Sequence, residues 1–102
     1  MRACIPAILL TGAFSSFATL AQDAHLARNL AATCASCHGT NGHARGDIAP
    51  LAGMRAQQLL EAFAEFKSGA RPATVMHQIA KGFSEEQISL IAAYYAAQSA
   101  QQ

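Results

Sequence analysis

The polar and apolar positions of this chain follow a helical rhythm through most of its length, after an apolar opening. Between Arg55 and Ser68, Leu59, Leu60, Phe63 and Phe66 recur at helical spacing, with Gln57, Gln58, Glu61, Glu65 and Lys67 between them. That pattern predicts an amphipathic helix with one face in a core, ended by Gly69 as the left-handed residue beyond the last turn. A second such pattern runs from Ser84 to about Gln98, with Ile88, Ile91, Ala92 and Tyr95 as its inner stripe. Ser84 followed three residues later by Gln87 is a capping box, and Glu85 and Glu86 suit the positive end of the helix dipole. Between these two helices, Thr74 to Lys81 reads as a short helical turn stopped by Gly82. Upstream, Asp23 as N-cap opens a predicted helix through Ala32, with Leu26, Ala27, Leu30 and Ala31 on one face. No stretch alternates with a period of two for long enough to propose a strand. The fold class is all-α, with about four short helices.

The opening residues have a different character. Met1-Arg2 supplies a positive start, an apolar run follows to Phe17, and Ala18-Thr19-Leu20-Ala21 offers small residues for cleavage before Gln22. That is the layout of a secretory signal. A membrane-spanning helix needs about 20 predominantly apolar residues, and Pro6, Gly12, Ser15 and Ser16 interrupt this run. The expectation is a cleaved signal peptide over 1–21, a domain over 22–102, a periplasmic location and no membrane anchor after cleavage. A domain of that size has a marginal core and needs a staple. Of the three cysteines, Cys4 leaves with the signal, so Cys34 and Cys37 are those left.

These two, with the next residue, form Cys34-Ala35-Ser36-Cys37-His38, the spacing that attaches a c-type haem. Positions i and i+3 of a helical turn are neighbours on one face, so two thiols there can reach the two vinyl groups of one porphyrin. His38 then stands where it can ligate the iron from the proximal side. Such a histidine needs its other ring nitrogen held by a hydrogen-bond acceptor; in the Gly- and Pro-rich loop 39–53, the expected acceptor is the carbonyl of Pro50. A covalently held, largely apolar porphyrin would complete the small core.

The opposite axial position decides between small-molecule chemistry and electron transfer. Met54, Met76, His25, His43 and His77 are the candidates after the signal. His25 precedes the motif on its own helix, His43 follows His38 closely, and Leu59 and Phe63 define the inward face of the helix that Met54 opens. Adjacent helical residues point about 100° apart, so only one of Met76 and His77 can address the iron. Val75, Met76 and Ile79 share an apolar side while His77 falls beside Gln78 and Lys81, which favours Met76.

Charge narrows the partners. Outside the signal, six basic residues face six acidic ones. There is no basic stripe for a phosphate backbone, which argues against nucleic-acid binding.

Taken together, the motif, the Ala49-Pro50-Leu51-Ala52-Gly53 loop, the distal methionine and the Tyr94-Tyr95 helix resemble class I cytochromes c. Two blocks, Cys34 to Gly42 and Lys67 to Ser84, are similar to the cytochrome subunit of flavocytochrome c sulfide dehydrogenase. The resemblance implies one haem, bound through thioethers at Cys34 and Cys37 with His38 and Met76 as axial ligands. It also implies an FAD-containing sulfide dehydrogenase subunit as electron donor, with the chain itself a non-catalytic electron carrier. A free-standing soluble carrier with the same haem site is the alternative. A thiol-redox module would place its cysteines after a strand in a βαβ setting, and structural zinc would need four ligands, usually in paired spacings.

Overall fold

The computed structural model describes residues 16–100, with side chains from residue 23 onward. The expected signal segment over 1–21 lies outside these described residues, apart from the backbone of Ser16–Ala21. The elements are α1 (Ser16–Ala32), α2 (Ala35–His38), a 3-10 turn (Thr40–Gly42), α3 (Ala56–Ser68), α4 (Met76–Lys81) and α5 (Glu85–Ala96). No strand occurs among the described residues, and the all-α class holds.

The first helix differs from the sequence reading at its start. Asp23 is not an N-cap: it lies inside α1, because the residues from Ser16 to Gln22 contain neither proline nor glycine and the helix continues through them. The helix ends at Ala32, where the sequence places its end. Thr33 N–H bonds to the Leu30 carbonyl and Cys34 N–H to the Ala31 carbonyl, tightening the end of α1 before α2 begins as a separate turn.

The other boundaries follow their local chemistry. Gly69 ends α3 at φ 83°, a left-handed conformation that a side chain would strain. Ser84 accepts from Gln87 N–H while the Gln87 side chain accepts from Ser84 N–H, closing the capping box of α5. Helix α4 starts at Met76, two residues later than expected, with Val75 outside it in a non-helical conformation.

Helix α5 packs against both α1 and α3, and α3 packs in turn against α4. The core is the meeting of their stripes: Ala31 from α1, Leu59 and Phe63 from α3, Ala80 from α4, and Ile88, Ile91, Ala92 and Tyr95 from α5. Burying each of the larger aliphatic side chains contributes about 1.5–3 kcal/mol. Phe83 meets Phe63 edge-on, at 6.4 Å between ring centroids, which seats the α4–α5 connection on α3. The Tyr95 hydroxyl donates to the Ala31 carbonyl at 2.6 Å inside this core. It thereby satisfies a carbonyl in the last turn of α1 and fixes where α1 and α5 cross.

Candidate functional site

The haem motif occupies α2 and the residue before it. Cys34 is the N-cap residue of α2 and Cys37 lies within the turn, so the two sulfurs are three residues apart along one helical turn. Both are free thiols, Cys34 half-buried and Cys37 exposed. Burial pushes the Cys34 thiol above its ordinary pKa, partly offset by the neighbouring Thr33 and Tyr95 hydroxyls. The inner sulfur thus sits against the α1–α5 crossing, while the outer one stands open.

His38 closes α2. Its Nδ1 donates to the Ala49 carbonyl at 2.6 Å. A carbonyl can only accept, so this bond requires the proton on Nδ1 and leaves Nε2 with an available lone pair. That is the tautomer a metal-ligating imidazole needs. The acceptor is one residue earlier than expected: it is Ala49, not Pro50. The reason is local, since a residue preceding proline is confined to extended conformations, which sets the direction of the Ala49 carbonyl. No side-chain pattern announces a carbonyl, so the neighbouring Pro50 was the nearest legible signal.

The loop that presents Ala49 is tied down at several points. Gly42, at φ 81°, accepts at its carbonyl from Leu51 N–H at 2.9 Å and from Ala52 N–H at 3.2 Å. Gly53 N–H donates to the Tyr95 carbonyl at 3.0 Å. The Tyr94 hydroxyl donates to Asn41 Oδ1 at 2.6 Å, with Asn41 itself at φ 54°. The Tyr94 and Tyr95 rings meet edge-on at 5.2 Å between centroids. Adjacent tyrosines on α5 therefore serve different ends of the site, Tyr95 the helix crossing and Tyr94 the proximal loop. Sequence reasoning placed Tyr95 in the core stripe but assigned no such role to Tyr94 or Asn41.

The candidate distal ligands separate by position. His25 is exposed on α1, with its Nδ1 3.4 Å from Arg28 Nη2. His43 is half-buried and follows the 3-10 turn directly. Met54 and Met76 are both half-buried and packed against the core. Met76 is the first residue of α4, and its neighbours Val75 and Ile79 are large apolar side chains left 54% and 39% exposed. Ile48, beside the carbonyl that holds His38, is 44% exposed as well. Exposed apolar side chains thus flank both the proximal loop and the Met76 turn, the kind of surface an apolar macrocycle would cover. His77 is half-buried, and its Nδ1 is shut off from solvent without a hydrogen-bond partner among the described residues.

Free thiols on one helical turn, an imidazole in the ligating tautomer and uncovered apolar side chains fit a haem. A zinc site fits less well, because no three His, Cys, Asp or Glu side chains are grouped as metal ligands among the described residues.

No family model matches the chain. The chain is 36% identical over 104 residues to the cytochrome subunit of sulfide dehydrogenase of Chlorobaculum tepidum, covering 93% of each chain. It is 38% identical over 82 residues to cytochrome c-554(548) of Halomonas halodenitrificans, covering 76% of this chain and 99% of that one. It is also 32% identical over 99 residues to cytochrome c4 of Pseudomonas aeruginosa, of whose length it spans 49%. The helical fold, the Cys34–His38 turn and these relatives together define a class I c-type cytochrome. The chain belongs to that family and is an electron carrier rather than an enzyme, and one of its relatives is a sulfide dehydrogenase cytochrome subunit.

Proposed function

We propose that residues 22–102 hold one haem c in the periplasm, after removal of 1–21, and pass single electrons from a sulfide-oxidising flavoprotein. Cys34 and Cys37 would tether the haem as thioethers, His38 would ligate the iron on the proximal side and Met76 on the distal side. Bound there, the haem supplies a one-electron Fe(III)/Fe(II) couple. The observation that carries this reading is the 2.6 Å bond from His38 Nδ1 to the Ala49 carbonyl, which frees Nε2 one residue after two unpaired thiols.

The chain's residues act by holding. Ala49 fixes the tautomer and orientation of His38 and strengthens it as a donor. Tyr94, Asn41 and Gly42 hold the loop that presents Ala49. Thioether-sulfur ligation from Met76 favours a higher potential than a second imidazole would. With His38 and Met76 as its ligands, the haem would serve one-electron transfer rather than substrate binding.

The suggestion of a dehydrogenase partner rests on the Chlorobaculum tepidum relative, a sulfide dehydrogenase subunit matched over nearly its whole length. An FAD-containing subunit as donor follows from the resemblance of the two sequence blocks. Near-neutral charge suits a stable, partly apolar interface. The second reading, a free-standing carrier, is favoured by the relative named only as a cytochrome c, which the chain covers almost completely. Purification from the native periplasm separates them. Co-elution with a flavin-containing polypeptide and reduction of the haem on adding sulfide support the first. A monomer with no flavin, reduced only by other donors, supports the second.

A further inference from the structure

Behind the turn that carries Met76, a cavity of about 290 Å³ opens between the end of α3, the loop after it and α4. Lys67, Arg71, His77 and Lys81 all line it, and no carboxylate does. Lysine and arginine side chains only donate hydrogen bonds, so the charged lining offers donors alone.

Two of these side chains are held in place by partners outside the cavity. Lys67 Nζ donates to the Phe83 carbonyl at 2.9 Å and to Glu85 Oε1 at 3.1 Å, with a third proton to give. Arg71 Nε donates to Glu65 Oε2 at 2.6 Å, and the guanidinium lies over the Phe66 ring at 5.4 Å from its centroid. These bonds hold both side chains beside the cavity. Lys81 makes no ion pair or side-chain hydrogen bond among the described residues. Counting Glu65 and Glu85 against the three cations leaves one positive charge uncompensated.

We propose that this cavity binds a small tetrahedral oxyanion of the sulfate or phosphate class. Such an ion presents acceptors on several sides at once, as donors from α3, its following loop and α4 require, and it removes the residual charge. Water does not remove the charge, and chloride offers one centre to donors on three segments. The donors are the cations Lys67, Arg71 and Lys81; His77 completes the wall.

The test is a sodium sulfate titration of the isotopically labelled, haem-loaded protein, with ionic strength held constant by sodium chloride and followed through backbone amide shifts. The expected result is a saturable response confined to the segment from Phe66 to Lys81. Lys81→Gln, at an exposed position without a structural partner, should weaken it about tenfold, the scale of one charge-assisted hydrogen bond. Arg71→Gln should weaken it by at least as much. Linear shifts no larger than those in chloride, or unchanged sulfate binding in both variants, would overturn the proposal.

Discussion

His38 Nδ1 and the Ala49 carbonyl, eleven positions on in the chain, are 2.6 Å apart, and this one bond decides which nitrogen of the imidazole is free. Loosening it should weaken His38 as a donor to iron. Pro50→Gly releases the pre-proline restriction on Ala49 and leaves every side chain that touches the core in place. Redox titration of the haem-loaded variant should show a higher potential than the parent, because a less strongly held imidazole stabilises Fe(III) less. An unchanged or lower potential would mean that Pro50 does not set the acceptor.

The Tyr95 hydroxyl is the buried clasp between α5 and α1. Tyr95→Phe removes one of the two donors to the Ala31 carbonyl, leaving only the Cys34 N–H, and should cost about 0.5–1.5 kcal/mol in denaturant unfolding. The phenol also makes stability depend on pH. Burial raises its pKa above the ordinary value, and Cys34, where it is a free thiol, and Tyr94 raise it further. Its contribution is therefore complete below the unfolded value of about 10 and is lost as pH rises above that. Parent protein should lose stability on that alkaline limb by more than Tyr95→Phe does. Equal slopes would remove Tyr95 as the cause.

Gly42 sits where no side chain fits. A Cβ there would come within 2.5 Å of Ala52 N and 2.9 Å of Tyr95 Cδ1, at φ 81°. Gly42→Ala should cost roughly 1–2 kcal/mol for the left-handed backbone, and about 1–3 kcal/mol more for overpacking. Thermal unfolding measures the loss. The matching change at Gly46, also at positive φ but with nothing near its Cβ, should show only the backbone part.

Most of the fold was legible because the signals were local and repeated. The stripes of α3 and α5, the Ser84–Gln87 box and Gly69 each combine a periodic pattern with a terminal residue of matching chemistry. What was not legible depended on tertiary contacts or on backbone atoms. Asp23 has the composition of a cap, but a cap exists only if the helix starts there, and the preceding residues continue it. The histidine's acceptor is a carbonyl, which every residue has. Tyr94 reads as one more aromatic on a helix until the fold brings Asn41 to it across the chain. His77 reads as the polar neighbour of Met76, yet it is half-buried beside a cationic cavity while Val75 and Ile79 stand exposed.

Met76 and His77 can be told apart directly. Met76→Ala should abolish the sulfur-to-iron charge-transfer band of the oxidised protein, open the sixth position to added imidazole and lower the potential. His77→Ala should leave the band intact. Survival of the band in Met76→Ala would move the assignment to Met54, the other half-buried methionine against the core.

Covalent haem attachment at Cys34 and Cys37 is the claim on which the rest depends. Protein matured in its native exporting host, stripped with acid-acetone and converted to the pyridine haemochrome, tests it most directly. The expected result is a c-type haemochrome that stays with the polypeptide, together with an intact mass increased by one haem and no free thiol at either cysteine. Haem removed by the solvent, or protein without haem whose Cys34 and Cys37 still react as thiols, would contradict it.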